Sequence, residues 1–386
     1  MTVILTTVFG VLPMFLLGAF APEIREAFDL TQSQFGLIAA SFWLTNALLS
    51  IAGGRLIQRF GAALGITVST ILGVLSLIGV ATAPSVPFLL GALVVGGIAV
   101  ATTQPTGNLL LMGSTPVGRL GLAFGVKQAS IPVAAVVSGL AVPTIGVALG
   151  WRWAFAFSCL LAVWLLLRVR VLAMPALHPP KRHEPSGHIP GLALLAGIGM
   201  AASMVGTGVS AFFVESAVDN GITSTQAGVW FAAAGAAGVA GRLIAGLVVD
   251  RRTSDTDNIG LLASLLAVGA MGFALLAIAD SWWLRLIATA PAFAAGWGWN
   301  GLFHLIVSKR GSGRAAHATG VTQTGMALGG MCGPILFGFL IEHLAGGDVW
   351  FVATGLLSLG ATGLLLLKRQ TAGMKTGPST TGMVTP

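Results

Sequence analysis

Two cations sit in stretches that otherwise read as buried. Lys127 lies within AFGVKQASIPVA (123–134) and Arg242 within GVAGRLIAGLVVDRR (238–252). A guanidinium can hold a carboxylate through two parallel N–H donors, while an ammonium acts as a compact point charge. Together they suit an anionic ligand. Other polar side chains have spacings that could help. Gln104 and Asn108 are i, i+4 and share a helix face, and Asn300 and His304 repeat that spacing with Trp297 one turn earlier. Gln128 and Gln323 complete the set. These groups could line a polar cavity, although hydrogen bonding between helices accounts for them equally well. Proton coupling needs a group whose titration environment can shift on burial; the candidates are Glu23, Glu215, Glu342 and His304, with Lys127 as a further one.

The elements that position these residues must lie in lipid. Hydrophobic residues make up 55% of 386 positions, charged residues 8%, and the mean hydropathy is +0.91. A soluble domain needs about 25% charged residues to solvate its surface. The 54 glycines fit transmembrane helices, where small residues let backbones approach closely. Cys159 and Cys332 both fall in apolar runs and read as packing residues. His178, His183 and His188 sit in a polar, proline-rich stretch that reads as a solvated linker. No metal site and no cofactor are expected.

A membrane span needs about 20 mostly apolar residues. Twelve candidates follow along the chain, near 2–21, 35–56, 62–82, 86–113, 119–146, 151–170, 190–217, 226–249, 259–279, 282–307, 315–343 and 348–368. The apolar runs are continuous and do not alternate, which favours helices over a β-barrel. The first run resembles a signal peptide in length but lacks a basic start, and it reads as a first span. With both termini cytoplasmic, fifteen Lys and Arg fall in inside loops and only Arg25, Arg152 and Arg285 in outside loops. The net charge of +8 is therefore topology, and no nucleic-acid partner is expected. Lys127 lies nine residues from Gly118 and Arg242 eight from Asp250. At about 1.5 Å per residue, both fall near the middle of a core about 30 Å thick. A cation there is costly. The spans offer no acid at that depth, so a ligand or a cluster of carbonyls must serve as partner.

The chain also repeats itself. At an offset of 192, TQSQFG (31–36) falls on TSTQAG (223–228), GRLIQR (54–59) on GLVVDR (246–251), and Asn108 on Asn300. At 195, GRLGLAFGVKQ (118–128) falls on GRAAHATGVTQ (313–323). Two halves with one plan, meeting at a midplane site, are a transporter architecture. The expected organisation is a six-helix bundle over 1–173, a cytoplasmic linker over 174–189, a second bundle over 190–370 and a flexible cytoplasmic tail over 371–386.

These features resemble the major facilitator superfamily. Its loop signature between spans two and three is similar to GRLIQRFGAA (54–63), through Gly54, Leu56, Arg59 and Gly61, and to GLVVDRR (246–252), through Gly246, Asp250 and Arg251. GWRWAF (150–155) is similar to the family's entry into span six. Gln58 stands where the family usually has an aspartate thought to latch the cytoplasmic side. The resemblance implies an all-α fold of twelve transmembrane helices in two pseudo-symmetric bundles around a central cavity lined by spans five and eight. Within the family, the eighth span resembles that of carboxylate and other organic-anion porters, and GVKQASIP resembles a bacterial branch that includes cyanate-transporter-like proteins.

The expected function is alternating-access secondary transport of a small organic anion such as a monocarboxylate, by proton symport or anion exchange. The alternative is a proton-coupled multidrug efflux antiporter. Such exporters usually carry a cavity acid and a glycine-proline pattern in span five, where this chain has SGLAVPTIG. A membrane enzyme finds no HExxH pair or nucleophile elbow here. The expected setting is a bacterial inner membrane, with the protein acting as a monomer.

Overall fold

A computed structural model describes residues 2–112, 120–169, 189–251, 255–311, 315–344 and 348–375. Helices dominate, and there is no strand among the described residues. The first half comprises α1 (Thr2–Ala19), α2 (Ala21–Phe28), α3 (Gln32–Phe60), α4 (Ala62–Thr82), α5 (Val86–Met112) and α6 (Leu120–Ala141). A π-turn (Val142–Gly146) and α7 (Val147–Leu149) extend α6, and α8 (Trp151–Ser158) and α9 (Leu160–Val169) close the half. The second half comprises α10 (Leu192–Asp219), α11 (Ser224–Asp250), α12 (Asp255–Ala277), α13 (Trp282–Ala294), α14 (Trp299–Arg310), α15 (Ala315–His343) and α16 (Asp348–Lys375).

Nine described helices are long and apolar enough to cross a membrane, and α1 with α2 forms a tenth pass bent by 70°. The paired segments α8–α9 and α13–α14 supply the remaining two of twelve. An even number of passes puts Thr2 and Lys375 on the same face, called here the terminal face; the opposite one is the distal face. Leucines and isoleucines such as Leu48, Ile51 and Leu359 are exposed on the outside, as a lipid-facing surface requires. Segment α1 is instead almost wholly buried among its neighbours. The last helix continues to Lys375, past the expected boundary at 370. The linker histidines lie outside the described residues.

The duplication seen in the sequence is a duplication of local structure. Thr31 caps α3 through a reciprocal capping box with Gln34, and Thr223 caps α11 through the same box with Gln226. The halves also meet through equivalent close contacts. A Cβ at Gly36 would lie 2.4 Å from the Pro334 carbonyl, and one at Gly228 would lie 2.7 Å from the Gly139 carbonyl. These pairs correspond at the two repeat offsets, 192 and 195. Glycine is needed there because backbone meets backbone, in the way small residues allow between membrane helices.

The α6–α11 seam makes a direct test of this packing. A valine at Gly139 would place its Cβ 2.5 Å from the Gly228 carbonyl and 2.6 Å from the Ala232 amide, neither of which can rotate away. Overpacking of this kind costs about 1–3 kcal/mol. Gly139→Val is expected to part the halves at the distal face and to lower thermal stability. The measurement is the nitroxide distance between labels at the exposed residues Ser85 and Asp280, in a background lacking Cys159 and Cys332. An unchanged distance and melting temperature would refute the close-contact account.

Candidate functional site

Arg242 and Lys127 come from facing helices of the two halves. A Cβ at Gly125 of α6 would lie 2.8 Å from the Arg242 carbonyl of α11, so the helices touch beside both cations. Lys127 is 2% exposed and Arg242 5%. Neither head group reaches bulk water.

The sequence explains how Arg242 is held. Pro132 sits inside α6, four residues after Gln128. A proline has no N–H to donate, so the Gln128 carbonyl loses its helical partner. Arg242 Nη1 donates to that carbonyl. Its Nε donates to the Trp297 carbonyl at 3.0 Å. Trp297 lies in the break at 295–298, between α13 and α14, where the helical ladder is interrupted and carbonyls become available. Close packing makes the reach possible. A Cβ at the neighbouring Gly241 would lie 1.8 Å from the Ala294 carbonyl, so only glycine lets α11 approach the break. The expected carbonyl cluster is thus present, and one of its members comes from the opposite half.

Lys127 Nζ donates to Gln104 Oε1 of α5 at 2.9 Å. His304 of α14 lies near Lys127. These contacts bring Lys127, Gln104, Gln128, Arg242, Trp297 and His304 into one neighbourhood of α5, α6, α11 and the α13–α14 segment. Buried polar atoms there lack hydrogen-bond partners: Gln128 Oε1, Trp297 Nε1 and Asn300 Oδ1. The Trp297 ring is also core, edge-on to Phe15 at 6.0 Å and to Phe293 at 5.0 Å. Asn108 lies on α5, its side chain outside the described set. Gln323 is half-buried on α15.

The void beside Arg242 measures about 10 Å³ and is lined by Gly125, Ala245, Gly246, Gly301, Leu302 and Leu305. That is near the lower limit for one water molecule. An organic ligand at Arg242 requires α6, α11 and α14 to separate.

The acidic candidates lie elsewhere, at contacts between the halves. The 70° bend after α1 carries Arg25 to Glu215 of α10, with which it forms an ion pair. Glu215 is fully buried, and its second oxygen, Oε2, has no hydrogen-bond partner. Arg25 is steadied by donating through Nε to the Leu30 carbonyl at 3.0 Å. Glu342 Oε2 accepts from the Ser33 amide at 2.8 Å, at the start of α3, and Glu23 of α2 lies near Ser224 at the start of α11. All three lie where the halves meet at the distal face. Sequence reasoning missed Arg25 and Pro132; a proline four residues after a buried polar position was the available signal for the second.

At the terminal face, Asp250 Oδ2 accepts from the Leu122 amide at 2.9 Å, in the first turn of α6. A carboxylate is favoured at a helix N-terminus, and this one bridges the halves. Gly246 packs against Gly125. Gly54 faces Pro105, Arg59 is exposed over the Phe60 ring, and Arg251 is an exposed turn residue. The Gln58 side chain lies outside the described set.

Comparison with known proteins agrees with this architecture. The family profile described as Major Facilitator Superfamily matches residues 3–334. The probable sulfoacetate transporter SauU of Cupriavidus necator is 27% identical, with 90% of this chain and 88% of that protein covered. Human monocarboxylate transporter 11 is 26% identical over 90% of this chain and 77% of its own length. Among solved structures, the human organic anion transporter MFSD10 superposes with a TM-score of 0.73, covering 94% of this chain and 98% of that one at 16% identity, which speaks to fold. The chain belongs to the major facilitator superfamily, as a multi-pass membrane transporter.

Proposed function

We propose that this transporter moves a small organic anion by alternating access, its carboxylate or sulfonate taking the position at Arg242 now filled by carbonyls. The observation that carries this reading is a pair of buried cations, one from each half, with the arginine seated on neutral backbone oxygens. A charged acceptor makes a hydrogen bond to a guanidinium roughly twice as strong as a neutral one does, so an oxyanion competes well for that seat. Lys127 supplies a second positive group from the first half, and Gln104, Gln128, Trp297, Asn300 and Gln323 supply polar contacts. Relatives named for sulfoacetate and monocarboxylate transport agree with this chemistry. The excess of basic residues makes the terminal face the cytoplasmic one, in a bacterial plasma membrane, with the protein acting as a monomer.

Uptake into proteoliposomes tests the reading, with radiolabelled lactate and sulfoacetate as anionic probes and ethidium as a cationic one. Saturable uptake of an anion is expected, with Lys127→Ala lowering kcat/KM at least about tenfold, as loss of one charged contact implies. Transport of ethidium without either anion would identify a drug exporter instead.

A further inference from the structure

We infer that Pro132 sets the anion affinity of this transporter, by creating the resident acceptor that an incoming anion must displace from Arg242. The inference rests on Arg242 being the anion ligand. Three observations converge on it. Pro132 leaves the Gln128 carbonyl without a helical donor inside α6. That carbonyl accepts from Arg242, which belongs to the other half. The ring is also fixed in place: Cβ atoms built at Gly235 and Gly238 of α11 would meet the Pro132 carbonyl at 2.8 Å and the Pro132 Cβ at 3.1 Å.

The consequence follows from competition. In the anion-free protein, a fraction of the molecules hold Arg242 on the carbonyl, and apparent affinity falls by the fraction that is competent to bind. An uncharged acceptor supplied by the protein is strong enough to keep a buried guanidinium satisfied. It is also weak enough for an oxyanion to replace. A carboxylate in the same place would hold the arginine permanently and exclude the substrate. Proline supplies the acceptor with no added charge and no added side chain.

Pro132→Ala keeps the Cβ that packs on α11 and restores an N–H to the Gln128 carbonyl. The carbonyl then has an intrahelical donor, and its hold on Arg242 weakens. Phenylglyoxal modification of purified anion-free protein, read at Arg242 by mass spectrometry, tests this without a ligand. Modification at Arg242 is expected to be about fivefold faster in Pro132→Ala than in the natural protein, in proportion to the released fraction. Pro132→Ser, which restores the same N–H with a different side chain, should reproduce the change. Arg285, half-buried near the distal face, serves as internal control. An unchanged rate at Arg242, or equal acceleration at Arg242 and Arg285, overturns the proposal.

Sulfoacetate and lactate are then added as probes. The concentration giving half-protection of Arg242 should fall about fivefold in Pro132→Ala, the direction opposite to simple damage. A rise in half-protection concentration would overturn the proposal. Faster anion-free modification with no protection by either probe would establish the carbonyl dock and reject Arg242 as their ligand.

Discussion

Arg242→Ala is expected to abolish saturable anion uptake, lowering kcat/KM at least about 100-fold, which corresponds to about 3 kcal/mol of lost binding. A bidentate, charge-assisted contact at a buried site accounts for a loss of that size. The same change strips donors from the Gln128 and Trp297 carbonyls, and an unsatisfied buried acceptor costs about 1–3 kcal/mol. Lower stability is therefore expected as well, and alanine alone would confound two effects. Arg242→Gln separates them. Glutamine keeps N–H donors for a carbonyl and loses the charge, so melting temperature should recover in part while uptake stays absent. Arg242→Lys keeps the charge but loses the planar fork, and should retain a tenth of the activity or less, because the two cations are not interchangeable at a bidentate site. Full uptake by Arg242→Gln would remove the arginine from the binding site.

Much of this arrangement was legible in the sequence, and the boundary between what was and was not has physical causes. Span number and the two-half plan follow from apolar run length and from matched polar residues, which depend on local sequence alone. The capping boxes at Thr31 and Thr223 show why the repeat survives in structure: each fixes a helix start with the same pair of side chains. Buried cations were likewise legible, since depth along a helix is a matter of counting. A ligand or a carbonyl cluster was expected as their partner, but which carbonyls would serve was not legible. The Gln128 carbonyl is made available by Pro132 in the same helix, but only the packing of α11 on α6 brings a guanidinium to it. A backbone acceptor is signalled only indirectly, here by Pro132 four residues on, so a search for acidic partners passes over it. Glu215 and Arg25 are 190 positions apart and meet only because the chain bends by 70° after α1. A helix read as straight would carry Arg25 away from α10. The acidic candidates Glu23, Glu215 and Glu342 fall near the outer span ends by counting alone, but only the fold shows that Glu215 and Glu342 contact the opposite half there.

That location makes Arg25→Ala the second large effect. The substitution leaves the fully buried Glu215 carboxylate without its cation in the arrangement seen here, whereas parting of the halves would let it reach water. Removing one partner of a fully buried pair costs about 3–5 kcal/mol. Arg25 is 19% exposed, so solvent screening reduces the figure to about 2 kcal/mol, or roughly a 30-fold shift in the ratio of parted to joined distal faces. Nitroxide labels at Ser85 and Asp280 should report a longer distance in the variant than in the parent. Glu215→Gln removes the charge and keeps an acceptor for Arg25, so its shift should be smaller than that of Arg25→Ala. Exchange of the two residues, Arg25→Glu with Glu215→Arg, should restore part of the joined population, since the attraction survives even though the surroundings differ. An Arg25→Ala distance distribution matching the parent would show that the glycine seams and the Glu342–Ser33 contact hold the distal face without the ion pair. With the expected shift, the pairing of Arg25 with one buried carboxylate is a main determinant of whether the distal face is closed.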